Sequence, residues 1–254
     1  MRFALMKSGT LSRITRERIG DYDQVFTRLL AEKGQQWDIH EVEHDAFPED
    51  ISIYDGIVLT GGPRSAYDDL PWIKKLIDQT RQAYEEGITL LGICLGAQVI
   101  AQALGGRVEK NPDGWDLGSV ALQLNEAGRN TAPLNTGPNP LHILQTHQDI
   151  VTELPRGGRI LASSKRSPVE IYTVGERVLC LQGHPELDVQ SLKDLIQSRM
   201  EKGVFSRERG EEGLRSLSTP PHQDFFRGWL RAFLRNDGQQ TGAAELSESI
   251  SSGF

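Results

Sequence analysis

Gly92-Ile93-Cys94-Leu95-Gly96 joins an apolar run, Ile88 to Leu91, to a segment of helical character, Ala97 to Leu104. A chain that passes from strand to helix across so short a junction must turn sharply. A glycine on either side of the cysteine leaves the backbone room to do so. The side chain between them then projects from the strand tip, and the following helix aims its N-terminus at it. The partial positive charge of that terminus favours a thiolate. A lone cysteine is more often a small buried apolar residue, and Cys180, inside Val178-Leu179-Cys180-Leu181, reads that way. Cys94, between its glycines, reads as a nucleophile.

The first half of the chain alternates in the way such a junction requires. Phe3 to Met6 is expected as a strand and Asp21 to Lys33 as a helix ended by Gly34. Trp37 to Val42 and Gly56 to Thr60 read as strands, Trp72 to Glu86 as an amphipathic helix closed by Gly87, and Ile88 to Ile93 as the next strand. Strands alternating with helices imply right-handed crossovers and a mostly parallel sheet, with sites at the carboxyl ends of its strands. Gly61-Gly62-Pro63 and Cys94 both fall at such ends. After residue 106 the pattern shifts to short strands: Gly118 to Leu124, Leu141 to Thr146, Arg159 to Ala162, Val169 to Val174 and Val178 to Leu181. Asn125 to Pro140, rich in Asn, Gly, Pro and Thr, is expected as a mobile connection. Asp188 to Met200 and Asp224 to Leu234 read as closing helices, with Ser206 to Pro221 a charged loop between them. The expected fold class is α/β: a mostly parallel sheet flanked by helices, with a peripheral antiparallel β section, in one domain over 1–235. Residues 236–254 have almost no apolar period and are expected to form a disordered tail.

Composition narrows the function. The 254 residues are 37% hydrophobic, enough for one substantial core. The formal net charge is -7, and the patch of Arg13, Arg16 and Arg18 is too sparse for a nucleic-acid groove. No run is long enough to suggest a membrane span, and none reads as a signal peptide. With two cysteines and no CxxC spacing, neither a disulfide framework nor a cysteine metal site is expected, and a reducing cytoplasm suits a free thiol.

Gly183-His184-Pro185-Glu186 follows the strand at Val178 to Leu181 directly. His184 is thus a candidate base at the same end of the sheet as Cys94. Glu186, two residues on, is placed to hold the imidazole in one tautomer and orientation. Each is weak alone; together with the elbow they point to acyl transfer through a thioester. Such chemistry needs N–H donors facing the developing oxyanion. Gly62 and Leu95, at the starts of their turns, are the candidates, although Gly61-Gly62-Pro63 by itself reads as an ordinary strand-ending turn. Thr146-His147-Gln148-Asp149 ends another strand. Without a third ligand at matching spacing it suits a turn contacting substrate better than a metal site, so neither metal nor cofactor is expected.

Taken together, Gly61-Gly62-Pro63, Gly92-Ile93-Cys94-Leu95-Gly96-Ala97-Gln98, His147-Gln148-Asp149 and Gly183-His184-Pro185-Glu186 resemble the class I glutamine amidotransferase family over about residues 1–235. Gly34-Gln35-Gln36-Trp37-Asp38, Tyr54-Asp55-Gly56, Glu153-Leu154-Pro155 and Leu161-Ala162-Ser163-Ser164 are similar to its stand-alone branch, which includes plant γ-glutamyl peptidases. The resemblance implies a flavodoxin-like sheet, a triad of Cys94, His184 and Glu186, and an oxyanion hole of the Gly62 and Leu95 amides. It also implies that Gln98 contacts the glutamyl group, and that His147, Gln148 and Asp149 hold its α-amino and α-carboxylate ends.

The expected reaction is hydrolysis of a γ-glutamyl amide: glutamine, a glutathione-like conjugate or another γ-glutamyl amine. Two other readings stay open. One is a glutaminase subunit that passes ammonia to a separate synthetase partner. The other is a binding or regulatory protein that keeps the fold without the chemistry. Arg64-Ser65-Ala66-Tyr67 and Ser8 to Gly20 are the segments expected to wall the leaving-group side.

Overall fold

The computed structural model describes residues 1–236; apart from Asn236, the expected tail lies outside the described residues. The first half of the chain runs β1 (Arg2–Lys7), α1 (Arg13–Ile19), α2 (Tyr22–Leu30), β2 (Gln36–Glu41), β3 (Gly56–Leu59), α3 (Pro71–Glu85), β4 (Thr89–Ile93) and α4 (Leu95–Ala103). Next come β5 (Arg107–Lys110), β6 (Asp116–Leu124), α5 (Glu126–Arg129), β7 (Leu141–His147), β8 (Asp149–Glu153), β9 (Gly158–Ser163), β10 (Ile171–Val174) and β11 (Val178–Leu181). The helices α6 (Val189–Glu201), α7 (Arg207–Ser216) and α8 (Gln223–Leu234) close the fold.

Nine strands form one sheet in the order β2-β1-β3-β4-β11-β10-β9-β6-β7, and β5 pairs with β8 beside it. The pairs β2-β1, β1-β3, β3-β4 and β4-β11 are parallel. From β11 through β10, β9 and β6 to β7 every pair is antiparallel. The central strands β3, β4 and β11 are buried at every position, as strands covered on both faces must be. On one face Phe3, Val58, Leu91 and Leu179 pack against Phe26 of α2 and Phe226 and Leu230 of α8. On the other, Ala4, Leu59 and Leu90 pack against Leu76 of α3 and Val99 and Ile100 of α4.

The start of α2 is fixed by a chain of polar contacts. Asp21 caps it, and a capping box with Gln24 closes the turn. The same carboxylate receives the Leu11 N–H at 2.8 Å and the Lys7 ammonium at 3.0 Å, and Lys7 also reaches Glu41 at 3.0 Å. The loop after β1 is thereby tied to the mouth of the parallel sheet. The helix ends at Leu30 rather than Lys33, and Gly34 lies in the next turn with φ 88°.

Several expectations need correcting. Ser206 to Pro221 is no loop, because α7 occupies most of it. That helix packs through its glycines: a Cβ on Gly213 would lie 2.8 Å from Leu117 Cβ, and one on Gly210 2.7 Å from Met200 Sδ. An apolar period cannot report such packing. Asn125 to Pro140 is held in place rather than loose, with Asn125 capping α5 and Leu134 buried in the main core. The short strands β5 and β8 and the charged helix α1 were also unanticipated.

At the site the tightest backbone approach is between α4 and β3. A Cβ on Gly96 would fall inside contact distance of the Leu59 carbonyl oxygen. Gly228, in contrast, lies exposed in α8 with nothing within 4 Å of its would-be Cβ. Gly96→Ala is therefore expected to lower unfolding free energy by about 1–3 kcal/mol or more. Gly228→Ala should raise it by up to about 1 kcal/mol through helix propensity. Urea denaturation of both variants beside wild type checks the pair, and equal effects would refute the close-approach argument.

Candidate active site

The nucleophile candidate sits where the sequence places it, at the break between β4 and α4. Cys94 has φ 52° and ψ -109°, a strained conformation for a residue with a side chain. Its N–H donates to the Leu181 carbonyl at 2.8 Å, fixing it to β11. A Cβ on Gly92 would lie 2.7 Å from the Ala97 nitrogen, so the turn closes only over glycine. Leu95 is the first residue of α4, and its N–H has no intrahelical acceptor.

His184 lies three residues past the end of β11 and donates its own N–H to the Leu144 carbonyl at 2.8 Å. Its Nδ1 is 2.7 Å from Glu186 Oε1, with side-chain exposures of 4% and 0%. Burial disfavours the charged imidazole, but Glu186 and then Cys94 outweigh it, and His184 is pushed up to about 10. The pair thus favours an imidazolium beside the thiol, the arrangement a thiolate nucleophile needs. Nε2 is buried without a hydrogen-bond partner and remains free to exchange a proton.

Two pockets flank Cys94, and Gly62 and Pro63 border both. One is lined by Arg64, Ser65, Tyr67, Gln98, Lys110, Gln148 and Asp149, with a volume of about 190 Å³. The other, about 80 Å³, is lined by Thr10, Ser12, Thr15, Tyr22, Ser191 and Leu195. The two segments expected to share one wall therefore stand on different sides: Arg64 to Tyr67 on the first, the chain after β1 on the second. Backbone packing explains how the pockets meet, since a Cβ on Gly62 would lie 2.5 Å from the Ser8 carbonyl oxygen.

Thr146 and His147 end β7, Gln148 makes the turn, and Asp149 opens β8. Asp149 accepts hydrogen bonds from Ser65 Oγ and, at 2.9 Å, from Tyr67 Oη. Gln98 Nε2 donates to the Asp149 carbonyl at 2.9 Å and to Gln182 Oε1 at 3.1 Å, so Gln98 braces the turn. His147 Nδ1 lies 3.1 Å from the same carbonyl, and burial brings its affinity for a second proton down to about 3. His147 is neutral and buried at the edge of the larger pocket.

Spacing alone offered no further ligand beside His147, whereas the folded chain brings to it Asp116, at the start of β6, and Glu170, just before β10. Ligand atoms of the three lie within 4.8 Å of one another. Burial, and then Asp116, push Glu170 up to about 8, which leaves it neutral at pH 7. Arg209 stands 3.3 Å from Asp116. The cluster is balanced in charge as it stands, a buried polar knot beneath the turn.

Two residues at the site escaped the sequence reading. Tyr22, at the start of α2, is buried beside the triad, and its hydroxyl would lie 3.4 Å from a Cβ on Gly61. Arg199, on α6, borders both pockets.

The two cysteines should separate under alkylation. Cys180 is fully buried and its thiol is pushed up to about 12 by burial, while Cys94 opens on both pockets. Iodoacetamide at about pH 8 is expected to label Cys94 alone in the folded protein, read by peptide mass mapping. Labelling of Cys180 first would contradict the assignment.

The His184–Glu186 pair also carries a pH signature. Folded His184 holds its proton up to about 10, above the ordinary 6.5. The stability it contributes is complete below about pH 6.5 and is lost as pH rises toward 10. A Cys94→Ala background removes the thiol's share of that rise, so stability should fall over a narrower window that begins near pH 6.5, and adding Glu186→Gln should flatten the fall. Denaturation at about pH 6, 8 and 9.5 measures it, and parallel curves would sink the claim.

Comparison with known proteins agrees with this architecture. Residues 19–199 match the family described as Glutamine amidotransferase class-I. Gamma-glutamyl peptidase 3 of Arabidopsis thaliana is 32% identical over 223 residues, covering 86% of this chain and 90% of the relative. Gamma-glutamyl peptidase 4 of the same plant is 35% identical over 204 residues, covering 79% and 81%. The crystal structure of a glutamine amidotransferase from Thermotoga maritima superposes with a TM-score of 0.70 at 22% identity, over 92% of this chain and 96% of that one, a likeness of fold. A match of this extent, on a chain built around this elbow and sheet, places the protein in the class I glutamine amidotransferase family.

Proposed function

We propose that the protein hydrolyses γ-glutamyl amide bonds through a γ-glutamyl thioester on Cys94. The observation that carries this reading is the strained Cys94 at the head of α4, facing a buried His184 held at 2.7 Å by Glu186. Two similar relatives bear the name γ-glutamyl peptidase, which supports the choice of acyl group.

In this reading His184 holds the thiol proton and Cys94 Sγ attacks the δ-carbonyl of the substrate. The Gly62 and Leu95 N–H groups take the oxyanion. His184 passes its proton to the leaving nitrogen as the C–N bond breaks, leaving the thioester. Water then attacks with His184 as base, the C–S bond breaks, and glutamate leaves with the thiol restored. Glu186 keeps the imidazole oriented throughout and stays ionised. The Asp149 carboxylate and the cations Arg64 and Lys110 border one pocket together. That combination suits the α-ammonium and α-carboxylate of the glutamyl group, with Gln148 beside them.

Delivery of ammonia to a synthetase partner is the less favoured alternative. A large apolar groove does run along α8, with Phe225, Trp229 and Phe233 in its wall. It also includes Gly175 and Glu176, at the opposite end of β11 from Cys94. A partner seated there would not receive ammonia from the nucleophile.

Wild type and Cys94→Ala, incubated with glutamine, glutathione and γ-glutamyl dipeptides, test the proposal by release of glutamate and amine. Turnover in wild type and a loss of about 10³-fold or more in Cys94→Ala are expected. Equal release by both proteins would overturn the nucleophile assignment.

A further inference from the structure

The smaller pocket holds a cation, Arg199, with no carboxylate among the described residues of its lining. Ser191, Leu195 and Arg199 recur every fourth residue along α6, so one helix face lines this pocket. Thr10, Ser12 and Thr15 form the facing wall. Among the described residues no carboxylate lines the pocket; its titratable groups are Tyr22, Cys94, His184 and Arg199, and a Cys94 thiolate would be matched by the His184 imidazolium. Arg199 Nη1 donates to Thr146 Oγ1 at 2.9 Å, and its guanidinium lies 5.1 Å above the centre of the Trp115 ring. A hydroxyl and an aromatic face are both uncharged.

A half-buried arginine with neutral partners has lost water without gaining a counter-ion. It has donors to spare, in a planar fork that matches a carboxylate. The ring beneath holds the fork in one plane, so little freedom is lost on binding. The arginine shares its pocket with the nucleophile, since Cys94 and Arg199 line the same cavity, and burial weakens its hold on its proton.

Arg199 borders both pockets, and which carboxylate it meets follows from what the larger one already contains. Arg64, Lys110 and Asp149 there complement both charged ends of an α-amino acid. The glutamyl group is served on that side, and the pocket with the threonine and serine wall is left for the departing amine. We propose that this pocket is a leaving-group subsite and that Arg199 binds a carboxylate on the amine released. γ-Glutamyl amino acids and peptides would then be preferred over glutamine and over γ-glutamyl alkylamides. The inference rests on the hydrolase reading above for its view of which group departs.

Two near-isosteric substrates test it, γ-glutamyl-alanine and γ-glutamyl-alaninamide, which differ in the terminal carboxylate. Wild type is expected to favour the acid about 10- to 100-fold in kcat/KM, the scale of one hydrogen bond to a charged group. In Arg199→Met the acid-to-amide ratio should collapse toward one, and Arg199→Lys should keep part of it. The ratio is taken within each variant, so a general loss of activity cancels. A wild-type ratio near one would overturn the proposal. So would an Arg199→Met variant that loses both substrates equally, which would place Arg199 at the glutamyl end or in the framework alone.

Calorimetric binding of the same two compounds to Cys94→Ala, with and without Arg199→Met, gives a readout free of turnover. If no amide is cleaved by any form, the hydrolase reading fails while binding still decides the subsite. Tighter binding of the acid that disappears with Arg199→Met supports the proposal; equal or absent binding refutes it.

Discussion

Everything at the site depends on how closely α4 can approach β3. The helix is seated where Gly96 meets the Leu59 carbonyl with no space for a methyl group. From that seat the chain must bend back to β4 through Cys94, and the bend forces a positive φ on a residue with a side chain. The strain is local, whereas the packing that holds it spans both faces of the sheet. A thiol at the head of a helix, beside unpaired N–H groups, results from that packing before any substrate arrives.

The second half of the constellation depends on a different strand meeting the first in register. β11 lies beside β4, and the Cys94 N–H closes onto the Leu181 carbonyl. His184, three residues later, is drawn to the same place by its backbone N–H, which donates to the Leu144 carbonyl of β7. Glu186 then sits within the same turn, buried, with one oxygen on Nδ1. Separation by ninety positions between nucleophile and base becomes adjacency because a parallel sheet orders strands by crossover rather than by sequence.

The sequence disclosed those parts that short-range chemistry dictates. The elbow, the His-Pro-Glu turn and the strands β1, β3 and β4 announce themselves by glycine placement and continuous apolar runs, and each lies where it was read. Elements built on other principles did not. In α7, Gly210 and Gly213 make the contacts, so its sequence carries charge without a hydrophobic stripe. Helix α1 is held by the Ser12 cap and a turn at Gly20 and buries only Thr15. Arg199 reads as one more basic residue near the end of a helix. Its standing comes from Trp115, just before β6, and Thr146 of β7, both distant from it in sequence. Asp116 and Glu170 likewise join His147 only through the antiparallel half of the sheet.

The seam between the parallel and antiparallel halves has an evolutionary consequence. Cys94 and His184 follow two hydrogen-bonded neighbours, β4 and β11, whose pairing fixes one relative to the other. The walls that face a substrate come from elsewhere: the chain after β1, the loop after β3, the turn after β7 and one face of α6. Each can change in length or character while the reacting pair keeps its alignment. A lineage built on this seam can exchange what it recognises while keeping how it reacts, and divergence among its members should gather in those four segments.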